Sequence, residues 1–118
     1  MARKVGGPTV VESVGTMPKR IEELVGAVNT ADPRLSIARM RSPAGWEEPG
    51  QTPAFDEFTL VISGRLVAEH VGGTIEVGPG EVVHAEAGEW VRYSTPEDTD
   101  YLSVCLPAFS PQSVHRDA

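Results

Sequence analysis

The chain has 118 residues and a formal net charge of −7, from 17 acidic against 10 basic side chains. That length suits one domain burying roughly 65% of its unfolded surface. The negative balance argues against a nucleic-acid partner and against an anionic membrane surface, since both need cationic surface. No apolar run approaches the roughly 20 residues of a membrane helix.

The lone cysteine, Cys105, cannot form an internal disulfide and fits a reducing compartment, so a cytoplasmic location is expected. The opening MARKVGGPTVVESVG carries no apolar core of a secretory signal. Twelve glycines and 10 prolines punctuate the sequence, which suits many short strands and not a helix bundle.

Gly6-Gly7-Pro8 supports no regular element. The β-branched stretch Thr9 to Val14 reads as an edge strand. Residues 18–28 (PKRIEELVGAV) are ambiguous: a short strand or irregular segment is expected, with a helical turn as the rival because Ile21, Leu24 and Val25 have helical spacing. Asn29 to Pro33 is a turn cluster. Next comes an alternating stretch, 35–41, whose small face (Ser36, Ala38, Met40) could line a cavity, with Leu35, Ile37 and Arg39 opposite. Trp46 to Pro53 (WEEPGQTP) is too proline-rich for a helix interior and is expected to be a loop.

Residues 55–63 form the strongest strand in the sequence. One face is Phe58, Leu60 and Ile62, wholly apolar and expected to be buried. The other is Glu57, Thr59 and Val61, which suits the wall of a polar cavity. Further strands are expected at 65–71, 74–78, 81–86, 89–94 and 100–106, with a Gly72-Gly73 hairpin turn and Gly78-Pro79-Gly80 turning again. The residues from Pro107 onward read as a tail laid along the surface. Short strands with turns every few residues are the pattern of an all-β jelly roll or barrel of two antiparallel sheets.

Residues 37–106 resemble the small single-domain cupins. Glu57 and Gly64 have the glutamate-to-glycine spacing of the first cupin half-motif. Gly73 and Pro79 have the first spacing of the second, and Pro79-Gly80-Glu81 forms its turn. The histidine positions of the first half-motif fall on Gln51 and Pro53, and that of the second falls near Val91, so only Glu57 survives among the usual metal ligands. The similarity extends to metal-poor cupins, including the ethanolamine-utilisation cupin, whose aromatic-Asp-Glu opening is comparable to Phe55-Asp56-Glu57. The resemblance implies a double-stranded β-helix filling the whole chain, with its core at about 35–106, an N-terminal arm at 1–34 and a tail at 107–118. It leaves the reaction open, because this fold hosts many chemistries.

Glu57 is the leading candidate for chemistry. A carboxylate walled in by apolar strand neighbours favours its neutral form and can serve as general acid or base. An arginine across the cavity would reverse that preference, and Arg39 is the candidate; a purely structural, arginine-held carboxylate is the plain alternative. His84 lies on a strand whose parity does not say whether Val83 and Ala85 or Val82 and His84 face inward. Tyr93 shares a face with Val91 and could give the cavity a phenol, or simply pack. Gln51, Glu48 and Thr59 are candidate substrate contacts. Cys105 reads as core.

The expected protein is a homodimer that binds a small polar metabolite. Its expected catalytic set is Glu57, His84 and Tyr93, its substrate contacts Gln51, Glu48, Arg39 and Thr59, and it uses no metal or other cofactor. The rival readings are a metal-dependent enzyme with a relocated site (Glu57, Gln51, His84) and a non-catalytic ligand-binding cupin.

Overall fold

Alternating side chains and frequent turn residues give ten short strands in the computed structural model, which describes residues 1–118. They are β1 (Thr9–Val11), β2 (Arg20–Val25), β3 (Ser36–Ser42), β4 (Trp46–Glu47), β5 (Asp56–Ser63), β6 (Leu66–His70), β7 (Gly73–Val77), β8 (Val82–Ala85), β9 (Val91–Thr95) and β10 (Thr99–Leu106). There is no helix. The strands form two antiparallel sheets, in the orders β1-β2-β3-β10-β5-β8 and β4-β9-β6-β7. This is the jelly-roll arrangement anticipated above.

One ambiguous stretch takes its expected form, and two local expectations differ in detail. The ambiguous 18–28 stretch is strand β2, and with β1 it extends the larger sheet beyond β3. Pairing with a neighbour decides this: a six-residue segment makes a weak isolated helix but satisfies its backbone on a waiting sheet edge. Within the expected loop, Trp46 and Glu47 pair with Thr95 and Ser94. The β6–β7 hairpin turns at Val71-Gly72, because His70 already pairs with Gly73.

Strand parity sorts the chemistry. In register across the larger sheet, one inward row runs Ser36, Cys105, Glu57, Ala85, and the next runs Ala38, Ser103, Thr59, Val83. The outward rows are Ile37, Val104, Phe58, His84 and Arg39, Leu102, Leu60, Val82. Glu57 (8% exposed), Thr59 and Val61 are therefore buried, whereas Phe58 and Ile62 are 37% and 43% exposed. The expectation that Phe58, Leu60 and Ile62 fill the core is corrected. An apolar strand face is buried only if something covers it, and within one chain nothing covers this one.

The interior holds two apolar groups. The larger comprises Trp46, Val61, Leu66, Ala68, Val77, Val83, Val91, Tyr93 and Tyr101. The smaller comprises Phe55, Cys105 and Val114, with Phe109 against it. Val114 belongs to the expected surface tail, yet it is 2% exposed, and Arg116 bridges to Gln51. The tail is thus pinned under the barrel end by burial of one side chain.

Gly64 closes the β5–β6 turn at φ +89°, where a side chain is strained. A Cβ there would run into the Asp98 carbonyl oxygen and lie 2.6 Å from Thr99 Oγ1. That hydroxyl cannot yield, since it accepts from the Arg65 amide (3.1 Å) and donates to the Arg65 carbonyl (2.9 Å). Gly64→Ala is expected to cost about 2 kcal/mol or more. In thermal denaturation this would appear as a Tm drop of roughly 10 °C.

Candidate functional site

The two sheets enclose a cavity of about 100 Å³ that touches both apolar groups. Its polar lining comes from several elements. β5 supplies Glu57 and Thr59, β9 supplies Tyr93, and β10 supplies Tyr101 and Ser103. The segment after β4 supplies Glu48 and Gln51, and the residue just before β2 is Lys19. Each faces inward by parity: Glu48 follows Trp46 by two, Tyr93 follows Val91 by two, and Lys19 precedes Ile21 and Glu23 by two and four.

Glu57 is anchored on one side. The Ser103 hydroxyl donates a very short hydrogen bond to Oε2, and the Cys105 thiol lies 3.8 Å from the same oxygen. Oε1 is buried and has no partner. Two further buried atoms in this cavity share that condition, Glu48 Oε1 and the Tyr93 hydroxyl. Three orphaned polar atoms around one cavity are unusual, because buried polar groups are almost always paired.

Electrostatics separates these groups. Burial pushes the Glu48 carboxyl up to about 7; the Glu57 charge adds to the rise, and the Lys19 charge opposes it. Burial holds the Tyr93 phenol well above its ordinary value, and Glu57 raises it further, so it stays a proton donor. Tyr101 is raised for the same primary reason, and its hydroxyl pairs with Ser42 Oγ at 2.9 Å. The Cys105 thiol is raised by burial and by Glu57, which makes it a poor nucleophile.

Lys19 Nζ sits 3.9 Å from the centroid of the Trp46 ring and donates to Tyr101 Oη at 3.2 Å. Burial lowers its pKa against the raising effect of Glu48 and Glu57. Reading the sequence alone missed this residue. The helical spacing of Ile21, Leu24 and Val25 masked a period-two set of Lys19, Ile21 and Glu23, which was the signal available. Glu23 itself is structural: its Oε2 accepts from the Val28 and Asn29 amides at 2.9 and 2.7 Å.

Five of the residues singled out in the sequence, Glu57, Tyr93, Gln51, Glu48 and Thr59, line this one cavity. His84 does not. Val83 and Ala85 face inward, so His84 stands on the outer face, stacked on Phe58 with ring centroids 4.2 Å apart. Arg39 is also outside, in a two-pronged pair with Asp100 at 3.0 and 2.6 Å. In its place, the basic side chains on the cavity wall are Lys19 and Arg116. His84 and Glu57 lie on opposite faces of the sheet, so the relocated metal site built from Glu57, Gln51 and His84 cannot assemble. None of the three histidines lines the cavity. The usual cupin metal positions hold Gln51, Pro53, Glu57 and Val91, and no group of three or more His, Cys, Asp or Glu side chains has metal-holding geometry. This donor set does not fit a transition metal.

Known proteins resemble this chain in sequence or in fold, and a family model gives the family. A protein from Myxococcus xanthus described as endoribonuclease YbeY is 43% identical over 101 residues, 84% of this chain. The chain spans only 34% of that protein's length. The Clostridium difficile EutQ structure superposes with a TM-score of 0.64 at 23% identity, over 77% of this chain and 64% of that one. The polyketide cyclase RemF from Streptomyces resistomycificus superposes with a TM-score of 0.76 at 22% identity, over all of this chain and 87% of that one. At these identities the structural likenesses establish the fold alone. A family model described as ethanolamine utilisation protein EutQ matches residues 42–111. That match spans more than half of the sequence and takes in strands of both sheets, so the chain belongs to the EutQ family of cupin-fold proteins.

Proposed function

We propose that the cavity binds a small polar metabolite and acts on it by acid/base chemistry that needs no metal, in a reaction of the isomerase, lyase or cyclase type. The observation carrying this reading is the trio of unpartnered buried atoms, Glu48 Oε1, Glu57 Oε1 and Tyr93 Oη, around one cavity. A protein seldom leaves three such atoms without a protein partner around one cavity unless something bound there pairs them.

The roles follow from the environments. Glu57 holds one oxygen fixed on Ser103 and offers the other to the substrate as the proton acceptor. Glu48, titrating near neutrality, exchanges a proton within the working range of pH. Tyr93 keeps its proton and donates a hydrogen bond to a substrate oxygen. Gln51 and Thr59 orient the bound molecule from the wall. The ribonuclease name of the Myxococcus protein is not carried over. It describes a chain of which this sequence matches a third, and an acidic protein with a small internal cavity is poorly shaped for RNA. The unpaired Cys105 supports a cytoplasmic setting.

We also propose a homodimer formed through the outer face of the larger sheet. Phe58, Ile62, Val82 and Leu106 are all exposed there, and the in-register rows place Val104 and Ile37 beside Phe58 and place Leu102 between Leu60 and Arg39. Contiguous apolar patches of this kind are self-complementary across a two-fold axis. Light scattering at micromolar concentration is expected to give twice the 12.6 kDa chain mass, with Ile62→Asp reverting to the single mass. A monomeric parent protein overturns the dimer.

The ligand reading is tested by a thermal-shift screen of small polar metabolites, followed by turnover assays on the hits. Glu57→Gln is expected to keep the fold and lose about 100-fold or more in turnover. Tyr93→Phe removes a buried hydroxyl that has no hydrogen-bond partner, so Tm is expected to stay level or rise while ligand affinity falls. Full activity in Glu57→Gln refutes the mechanism. Binding without turnover for every hit points to a ligand-binding cupin instead.

A final expectation concerns pH. The folded-state pKa of Glu48 is raised from 4.5 to about 7. Between those values the folded protein keeps a proton that the unfolded chain has released, so stability falls as pH rises through this window and levels off above it. Glu48→Gln is expected to flatten the Tm-versus-pH curve in that interval. An unchanged slope in the variant would show that Glu48 is not the group titrating there.

A further inference from the structure

We propose that Lys19 is a nucleophilic amine and that the metabolite acted on in this cavity is a small aldehyde or ketone, which Lys19 holds as a Schiff base. The proposal rests on the acid/base reading of the site and names its substrate class. Lys4 and Lys19 are the only lysines in the sequence. Lys19 alone reaches the cavity, where its Nζ lies on the Trp46 ring and against Tyr101 Oη and Met40 Sδ (3.5 Å).

A lysine recruited as counter-ion to Glu48 and Glu57 would sit in an ion pair with one of them. Lys19 is in no ion pair with either, nor with any other carboxylate. Both carboxylates are near enough to act on its charge, and Arg116 acts in the opposite sense, yet burial dominates and favours the neutral amine. A desolvated lysine in an aromatic and apolar setting is the form that attacks carbonyls. The rest of the cavity supplies what the condensation needs. Tyr93 offers an unused donor for the carbonyl oxygen, and Glu48 supplies and retrieves a proton near neutrality.

The step balances. The neutral Lys19 amine adds to the carbonyl carbon, the carbonyl π pair moves to oxygen, and a proton passes from nitrogen to oxygen to give a carbinolamine. The Glu48 carboxyl then protonates that hydroxyl, which leaves as water with its bonding pair while the nitrogen lone pair forms the C=N bond. The products are a protonated imine, water and the Glu48 carboxylate. Glu57 Oε1 is then free to take a proton from the carbon next to the imine. Hydrolysis by the reverse path restores the amine.

The test is reductive trapping of the full chain with glycolaldehyde and cyanoborohydride at pH 7, with modified positions located by peptide mass spectrometry. Lys4 and the terminal amine are internal controls. A lowered pKa leaves more free amine at this pH, so Lys19 is expected to label several-fold faster than Lys4. Glu48→Gln is expected to slow Lys19 by a similar factor while leaving Lys4 unchanged. Lys19→Met, checked for fold by its Tm, is expected to lose only the fast site. Equal rates at Lys19 and Lys4 overturn the proposal, as does a fast Lys19 rate indifferent to Glu48. If Lys19→Met binds and turns over an identified metabolite as well as the parent does, while Glu57→Gln does not, the lysine leaves the mechanism and the acid/base reading stands.

Discussion

Glu57 is a carboxylate buried inside a barrel, tethered through one oxygen to Ser103 and without a protein partner at the other. The surrounding structure is organised by that arrangement. A buried carboxylate is costly unless paired, and a single hydroxyl pairs only half of it. Its charge raises Tyr93, Glu48 and Cys105, and it opposes the lowering of Lys19. A change at Glu57 is therefore felt by Tyr93, Glu48, Cys105 and Lys19.

The N-terminal segment completes this set. β1 and β2 extend the larger sheet, and the chain between them brings Lys19 over the Trp46 ring. The indole of Trp46 donates to the Val14 carbonyl at 3.2 Å, and the Thr16 amide donates to the Glu47 carbonyl at 2.8 Å. These bonds tie the segment to β4, so the Lys19 side chain is held by backbone and aromatic contacts and not by a carboxylate. At the other end, burial of Val114 draws Arg116 to the cavity wall beside Gln51. Both chain ends thus contribute to a site whose strands come from the middle.

The two faces of β5 illustrate how one strand serves two purposes. Its inner residues give the cavity an acid, a hydroxyl and a packing surface. Its outer residues join Leu102, Val104 and Val82 in an apolar sheet face on which His84 lies flat against Phe58. The stacking accounts for a histidine in an apolar strand without assigning it chemistry. The Arg39–Asp100 pair borders the same face and marks where it turns polar.

Local pattern was enough to read the all-β class, most strand positions, the shared parity of Glu57 with Thr59, and the small face of β3. These depend on the two-residue period of a strand and on turn chemistry, which neighbouring residues specify by themselves. The resemblance carried by Glu57, Gly64 and the Pro79 turn located the barrel, and it put Gln51, Pro53 and Val91 where the usual cupin histidines stand. Tertiary structure alone decided the rest. Parity says that Phe58 and Glu57 face opposite ways, but only the curl of the sheet says which way is in; the apolar set went outward and the carboxylate inward. The side taken by His84 and the pairing of Arg39 with Asp100 followed from the same curl. Lys19 became a site residue because a distant strand, β3, offered an edge to a segment with mixed local preference. That docking brings together residues far apart in sequence, and no short-range pattern encodes it.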